Sequence, residues 1–548
     1  MKRSIAELTD SYRKGRISRR EFLRGATLAT VSALIAACAP KATPTPFTAP
    51  TQAPPTKAIP TPTATAAGPR RGGTLRFGMT EEASGPFNPL LALASTSYYN
   101  HWVYESLVDV DAQLANPIAR LAESWTPEEN GRVWVFNLRR GVKWHHGREF
   151  LAEDVLSTFG KIIDPNYGAS AAVQFANIVD MDKPDDHTAR FSLNAPNADF
   201  PITLSNTYTR VVPYDLTEDQ IEHEPRGTGP FRIDHYEHAD RISFYRNQDY
   251  YVPGLPYLEE VEFVSIPEAT TMANALQAGE VDIYLLVPGQ IVRMLKDDPN
   301  IVAQDTVPVS VNEIYMDLSA KPFNDDRVRR AFKLIGDRLA MAQVAWPDLP
   351  VTVVDDNPTL VTHPFHIDTN IWKQDLAEAK RLIQEAGYGN GLEVTLWAIN
   401  DIPGFLEFSL AFAEWAKEAG ITVKVESVPA DPYYSAQWMV EPFGTVEWWT
   451  SPTLDEDLRI AYYSTAEWNE TRFKNPEFDR LLDEALAELD TDKRAEMYAT
   501  LQRMLIEQGG QIIPYQAPMR SLARRQVQGF IPHPNQGLDP RQVWLAES

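Results

Sequence analysis

Helices and strands alternate with short links in the second half of the chain, and this order constrains the fold more than any other feature of the sequence. Asp375 caps a helix whose apolar residues share one face until Gly387 stops it. A strand is predicted over 393–398, a second helix ends at Gly420, and a second strand follows over 421–426. This order predicts parallel strands joined by right-handed crossovers, and therefore an α/β domain.

Other elements are shorter or less regular. A strand bounded by glycines is predicted over 72–78, and apolar alternation predicts another over 132–138. Helices are predicted to open at Asn475 and at Thr491, before a strand-like segment at 511–515. No repeat occurs at a solenoid or propeller period, and the length of 548 residues suits two or three domains.

The N-terminal segment has the pattern of an export signal. A basic stretch leads to residues 18–24, where the twin arginines Arg19 and Arg20 stand, and a short apolar run over 26–37 follows. The run ends at Cys38, the one cysteine of the chain. The segment looks like a twin-arginine signal that ends in a lipobox, so residues 1–37 are predicted to be removed and Cys38 to be lipidated.

Residues 38–71 are predicted to be a tether. Residues 39–69 contain nine prolines among mostly threonine and alanine. Such a stretch has too little apolar surface to offset its chain entropy and stays extended. A lipid on Cys38 and a spacer together predict a domain held above the extracytoplasmic face of a bacterial membrane, or in the periplasm.

Composition and motifs exclude several function classes. The formal net charge of minus 24 disfavours a nucleic-acid partner, and one cysteine excludes a disulfide framework. The sequence lacks a nucleophile elbow, an HExxH motif, a Walker loop, a dinucleotide fingerprint and a CxxC motif. His145 with His146, and His363 with His366, are poor metal pairs, since neither is accompanied by further ligands at suitable spacing. We therefore expect no metal, no cofactor and no chemical step.

Ordered fragments along the folded part resemble a known family. The most specific are Leu-Ala-Glu-Ser-Trp at 121–125, the run from 134 to 147, and Ala-Glu-Asp-Val at 152–155. Further fragments keep the family order at 104–108, 227–231, 278–283, 322–338, 386–388 and 475–479. Together they resemble the extracellular solute-binding proteins of family 5, the peptide, nickel and oligosaccharide receptors of ABC importers.

The resemblance implies an α/β, bilobed, periplasmic-binding-protein-like fold of class II, with an extra subdomain in lobe I. By similarity the segments are 72–108, 225–312 and 511–548 for lobe I, 109–224 for the extra subdomain, and 313–510 for lobe II. The hinge is then expected near Val311 and near residues 513–515. The implied function is capture of a peptide or oligosaccharide between the lobes by a monomer, which delivers it to ABC permease subunits.

The resemblance leaves the ligand contacts partly open. Many peptide-binding members carry a tryptophan followed three residues later by an aspartate that holds the peptide ammonium. If Trp449 takes that tryptophan position, Pro452 stands where the aspartate belongs, which puts the ammonium anchor in doubt. Asp455 and Glu447 are the nearby carboxylates left to replace it.

Aromatic side chains are the best predicted ligand contacts, because their faces suit sugar rings, apolar groups and cations. Each has core packing as its alternative, and Phe412 and Trp415 are assigned to a helix core. The residues expected to contact the solute are Asn88, Trp397, Asn400, Tyr433, Trp438, Trp448, Trp449, Thr450, Ser451 and Asp455. An extracytoplasmic, glycosidase-like hydrolase that uses inward carboxylates in a similar cleft is the alternative function.

Overall fold

A computed structural model of the protein describes residues 68–82, 85–347 and 350–547. The predicted signal, Cys38 and most of the predicted tether lie outside the described residues. The first half forms β1 (Thr74–Met79), α1 (Ala94–Asn100), β2 (Val108–Val110), β3 (Pro117–Ala119), β4 (Ala122–Glu128), β5 (Val133–Leu138), α2 (Ala152–Ile163), β6 (Ile178–Asp185), β7 (Thr188–Leu193), α3 (Phe200–Thr203), α4 (Glu218–His223), β8 (Phe231–Arg232), β9 (Arg241–Arg246), β10 (Glu260–Ser265), α5 (Ala269–Ala278), β11 (Ile283–Tyr284), α6 (Gly289–Leu295) and β12 (Ile301–Met316).

The second half continues the same alternation of helices and strands. It forms α7 (Asp326–Ile335), α8 (Arg338–Ala345), β13 (Thr352–Val353), α9 (Leu376–Ile383), β14 (Leu392–Ile399), α10 (Phe405–Glu418), β15 (Ile421–Val428), α11 (Ala430–Ala436), β16 (Phe443–Trp449), α12 (Leu454–Tyr462), α13 (Pro476–Ala487), α14 (Thr491–Gln508), β17 (Gln511–Arg524), β18 (Val527–Gln528), β19 (Pro532–His533), β20 (Gly537–Leu538) and β21 (Trp544–Leu545).

One large sheet runs through the molecule in the order β15-β14-β16-β12-β17-β11-β1-β10-β9-β8, with β13 paired to β17. Strands β12 and β17 are its centre, and they pair antiparallel from Ile301 opposite Arg524 to Tyr315 opposite Gln511. Two separate hydrophobic cores lie on the two sides of this central pair. The fold is therefore α/β and bilobed, as predicted, while the predicted segment boundaries stay a prediction.

The central strand pair is irregular near its middle. Its register shifts between Asp305 and Pro308, again between Pro308 and Ser310, and once more between Asn312 and Ile314. Pro308 stands opposite Pro518, so neither residue offers a backbone N–H to the ladder at that step. The two long strands are thus continuous in space but weakly hydrogen-bonded where the two halves of the sheet meet.

The helix and strand order that opened the sequence analysis is confirmed. Asp375 caps α9 by accepting a hydrogen bond from the Glu378 backbone N–H at 2.9 Å. Strands β14 and β15 pair in parallel along their whole length. Gly387 and Gly420, the predicted helix stops, have φ of +95° and +81°, a left-handed conformation that glycine adopts at little cost.

A smaller four-stranded sheet, β4-β5-β7-β6, forms a separate layer beside the first half of the large sheet. Its side chains join the same hydrophobic core as β1 and β10, which explains why this region is an addition to one lobe. It also contacts the second half of the molecule, where Arg494 Nη2 lies 2.5 Å from Asp199 Oδ1. The Ala198 backbone N–H donates to the Leu486 carbonyl at 2.8 Å in the same contact.

A buried charge cluster ties the elements of the second half together. Lys333 and Arg338 both contact the Asp356 carboxylate, at 3.2 and 2.9 Å, and all three side chains are at most 5% exposed. Asp356 has φ of +58°, a conformation that asparagine also tolerates. Removing its charge therefore tests the ion cluster without adding backbone strain.

We predict that Asp356→Asn lowers the free energy of unfolding by about 3–5 kcal/mol, because it leaves Lys333 and Arg338 as buried cations without a counterion. Urea denaturation followed by circular dichroism measures the change. The matched control is Glu378→Gln, which removes an exposed carboxylate from its pair with Arg381 and should change stability little. Equal effects of the two substitutions would contradict this account.

Candidate functional site

A depression opens at the carboxyl end of β16, where that strand runs beside the central pair. It is shallow, with a cavity volume of about 20 Å³, and the space around it is open to solvent. Trp448 and Trp449 pair with Val311 and Ser310 of β12, so the depression borders the strands that connect the two lobes. Its lining residues are Val311, Pro358, Trp448, Trp449, Thr450, Asp457, Leu458, Ile460, Ala461 and Tyr462.

Trp448 is the half-buried wall of this depression, and its position is fixed on two sides. Its indole ring packs against Trp468 and Trp438, with ring centroids 6.2 and 6.4 Å away. Its indole N–H donates to Glu470 Oε1 at 3.0 Å. These centroid distances are those of rings in contact, so the three tryptophans form a packed cluster with no cage between them.

Tyr462 forms another part of the wall, at the end of α12. Its hydroxyl donates to Glu313 Oε2 at 3.4 Å, and burial, together with the charge of Glu313, raises its pKa well above the usual value. The tyrosine is therefore neutral at physiological pH. Its hydroxyl points away from solvent, because the residue is only 2% exposed.

The segment between β16 and α12 forms the rim. Trp449 is 56% exposed. Thr450 is anchored to the Val309 carbonyl by its backbone N–H at 3.1 Å and its hydroxyl at 3.2 Å. The Ser451 backbone N–H donates to Asp457 Oδ1 at 2.6 Å, and burial raises the pKa of Asp457 well above its usual range. These hydrogen bonds hold the rim in place, and the ring of Trp449 is its exposed aromatic face.

Asp455 is engaged rather than open. Its two carboxylate oxygens accept hydrogen bonds from Arg459 Nε and Nη2 at 3.0 and 2.9 Å, and the residue is 6% exposed. A bidentate pair of this kind satisfies both carboxylate oxygens. The expectation that Asp455 replaces the missing ammonium anchor is therefore not met in this structure.

Two other predicted contacts are buried in the cores. Tyr433 is fully buried in α11, where its hydroxyl lies 3.4 Å from that of Tyr315. Asn88 is 2% exposed, and its amide donates to Tyr167 and Glu218, each at 3.0 Å. Neither side chain presents a polar group or ring face to an open surface in this structure, and their role as solute contacts stays a prediction.

The remaining predicted residues divide into two groups. Trp438 belongs to the tryptophan cluster behind the depression. Trp397 is half-buried in β14 opposite Gly444, at the far end of β16 from Trp448, and packs against the core of that half. Asn400 is exposed and donates to the Ser427 hydroxyl at 2.8 Å. Trp397 and Asn400 therefore do not line the depression.

Several residues of the site were not predicted from the sequence. They are the lining residues Pro358, Asp457, Leu458, Ile460, Ala461 and Tyr462, and the supporting residues Glu313, Trp468 and Glu470. Trp468 and Glu470 stand in a loop after α12, and Tyr462 lies at the end of that helix. The only local signal in the sequence was the pair Trp448 and Trp449, which has acidic residues on both sides. Within residues 68–82, 85–347 and 350–547, no group of three or more histidine, cysteine, aspartate or glutamate side chains is placed to hold a metal ion.

The placement of Trp449 and Tyr433 gives a direct test of this geometry. We predict that Trp449→Ala leaves the free energy of unfolding nearly unchanged, because the ring is mostly exposed. Tyr433→Ala should lower it by about 3–5 kcal/mol, the range for deleting a buried aromatic ring. Urea unfolding of both variants checks the contrast, and a large loss for Trp449→Ala would show that this ring is part of the core.

Comparison with known proteins places the whole described chain among relatives of similar length. The family model described as bacterial extracellular solute-binding proteins, family 5 Middle, matches residues 116–470. Heme-binding protein A of Haemophilus influenzae is 27% identical over 501 residues, which cover 83% of this chain and 89% of that protein. The dipeptide-binding protein of Pseudomonas aeruginosa is 27% identical over 473 residues, covering 78% and 87%.

Among solved structures, that of HbpA2 from Haemophilus parasuis superposes with a TM-score of 0.79 at 22% identity. The superposition covers 87% of this chain and 100% of that one. At this identity the likeness concerns the fold, and it agrees with the bilobed arrangement described above.

Proposed function

The chain belongs to the bacterial extracellular solute-binding proteins of family 5, and on that premise we propose that it captures a peptide or another small solute at the depression beside β16 and holds it by closing the two lobes. It is the solute-binding component of an ABC importer and works outside the cytoplasm. In the part of the chain that the structure describes, every helix is too short or too polar to cross a bilayer.

The observation that carries the proposal is the position of the depression. Its wall residue Trp448 pairs with Val311, three residues from Pro308, where the ladder of the central strands is weakest. A solute on this wall contacts the other lobe only after the lobes rotate together. Binding energy gained in the closed state alone shifts the equilibrium toward closure. We propose that the hinge lies in this part of β12 and β17, consistent with the predicted Val311 and 513–515.

The chemistry of the wall supports a solute with an apolar or aromatic group. Trp449 offers an exposed ring, and the half-buried Trp448 offers apolar surface beneath it, with Tyr462 packed behind. If Trp449 takes the tryptophan position of the peptide-binding members, Pro452 stands where their ammonium-binding aspartate belongs, and Asp455 is held by Arg459. We therefore propose a solute whose fit depends on stacking more than on a fixed ammonium pair. We also propose that capture involves no chemical step.

The N-terminal sequence supports a lipid-anchored monomer exported by the twin-arginine route. Arg19 and Arg20 precede the apolar run, and Cys38 follows it at the lipobox position. A thioether-linked diacylglycerol with a further acyl chain gives stable membrane attachment, whereas a single chain does not. The proline-rich residues that follow then act as the spacer, and the permease subunits in the same membrane receive the solute.

We predict that at least one member of a panel of di- and tripeptides, glutathione, malto-oligosaccharides and hemin raises the thermal midpoint without being converted. Ligand that binds only the folded state stabilises it by mass action. Trp449→Ala should weaken that binding at least about tenfold, roughly 1.4 kcal/mol. Differential scanning fluorimetry and calorimetry measure both effects, and mass spectrometry monitors the panel members.

The matched control is Tyr245→Ala, which removes another exposed aromatic ring, 43% exposed on β9 and away from the depression. This variant should bind as the unsubstituted protein does. Release of a cleaved product from any panel member would support the hydrolase alternative instead. Binding that survives Trp449→Ala but is lost in Tyr245→Ala would place the site elsewhere.

We also predict that the full-length protein, expressed in a bacterium with both export routes, partitions into the detergent phase of Triton X-114. Cys38→Ser should move it to the aqueous phase, because the thiol that carries the lipid is gone. Immunoblotting of the two phases measures the partition. A membrane-bound Cys38→Ser protein that still carries residues 1–37 would show that the segment is an uncleaved anchor.

A further inference from the structure

Two carboxyl groups lie behind the wall of the depression and have no part in the proposed solute contacts. Glu313 belongs to β12 and is fully buried, and Glu470 follows α12 and is 2% exposed. Each accepts a hydrogen bond from one wall residue. Trp448 donates to Glu470 at 3.0 Å, and Tyr462 donates to Glu313 at 3.4 Å. The two carboxyls therefore orient the two aromatic side chains that form the wall.

The second oxygen of each carboxyl is also buried. Among the described residues, Glu313 Oε1 and Glu470 Oε2 receive no hydrogen bond from a protein donor. Glu313 stands opposite Val446 of β16, two residues from Trp448, so its side chain lies on the same face of the sheet as the indole that donates to Glu470. Two ionised carboxylates in such a position repel each other, whereas one shared proton satisfies both free oxygens. The arrangement therefore fits a pair that holds a proton.

The two cations that act on the pair direct their N–H groups to other acceptors. Lys333 is the nearest ammonium to Glu313, but its three N–H groups are used by Asp356 and the carbonyls of Ile506 and Gln511. Arg472, the cation that acts on Glu470, donates to the Met439 carbonyl. The titratable and charged groups that face the pair or its two partners are Lys333, Arg472, Tyr315, Tyr433, Tyr462, Asp457 and Glu441.

We propose that Glu313 and Glu470 are the positioning residues of the solute site, that they share one proton, and that this protonated pair holds Trp448 and Tyr462 in the arrangement that binds solute. When the proton leaves, the two charges separate and the wall loses its fixed geometry. The inference rests on the proposed function for the effect on affinity. The proton itself is a property of the protein without solute.

The direction of the pH dependence follows from burial. Desolvation raises the pKa of Glu470 to about 7 and that of Glu313 well above its usual range. A carboxyl whose pKa is raised on folding binds its proton more tightly in the folded state. Its contribution to stability is complete below the unfolded pKa and is lost as pH rises through the folded value. Stability and solute affinity should both fall between about pH 6 and pH 8.5.

The first experiment needs no solute. The thermal midpoint and the near-ultraviolet circular dichroism of the tryptophans are measured from pH 5 to pH 9. We expect both to change around pH 7 in the unsubstituted protein and not in the double variant Glu313→Gln with Glu470→Gln, whose amides hydrogen-bond to each other without a titrating proton. Glu467→Gln, an exposed glutamate in the same loop, should keep the original profile.

Infrared spectroscopy of the unsubstituted protein covers the case in which the double variant fails to fold. A protonated carboxylic acid band that persists at pH 6 and disappears by pH 8.5 supports the shared proton. Absence of that band at pH 6 would overturn the inference, as would an identical pH profile in a folded double variant.

The second experiment measures the binding of the same panel of solutes at pH 6 and pH 8.5. If only the protonated pair is competent, the apparent dissociation constant weakens by up to roughly 30-fold, the reciprocal of the competent fraction. A change of more than about threefold that is absent from the double variant supports coupling, and a smaller change overturns it. If no panel member binds at either pH while the solute-free step near pH 7 remains, the proposed solute site fails and the proton pair stands.

Discussion

The two central strands are the constraint on which the rest of the structure depends. β12 and β17 are the strands to which the sheets of both halves are joined, so each hydrophobic core packs at one end of the same strand pair. The pairing of Pro308 with Pro518 removes two backbone donors at the junction. The strands thereby hold the halves in register without making their angle rigid. The proposed solute site borders this junction, because Val311 is both a central-strand residue and part of the lining of the depression.

The sequence predicted the elements whose signals are local. The cap at Asp375, the helix stops at Gly387 and Gly420, and the alternation in β15 each depend on a few neighbouring residues, and all were found. The sixteen residues of β12 were not recognised as one strand, since Pro308 interrupts them and the partner strand lies about 200 residues away. Such pairing is decided by tertiary contacts, which no window of sequence contains.

The residues of the site also divide into those with a local signal in the sequence and those placed by tertiary contacts. Trp448, Trp449 and Thr450 were predicted because family order and aromatic character marked that segment. Tyr433 and Asn88, also predicted as contacts, are buried for a tertiary reason. The short helix α11 places Tyr433 against Tyr315. The Asn88 amide donates hydrogen bonds to Tyr167 and Glu218, which come from distant parts of the chain. Glu313 and Glu470 could not be found at all, because acidic residues are ordinarily assigned to the surface.

The carboxyl pair explains how an aromatic wall is kept in one orientation next to a moving junction. Apolar side chains of similar volume would fill the same space and would avoid the cost of burying acids. They would not direct the indole N–H or the tyrosine hydroxyl, and either donor left unpaired would itself be costly. Trp448 and Tyr462 each bring a buried donor, and Glu470 and Glu313 are the acceptors that match them. The identity of the wall residues therefore requires acceptors behind it, and the proton proposed for Glu313 and Glu470 would let two buried acids serve as those acceptors.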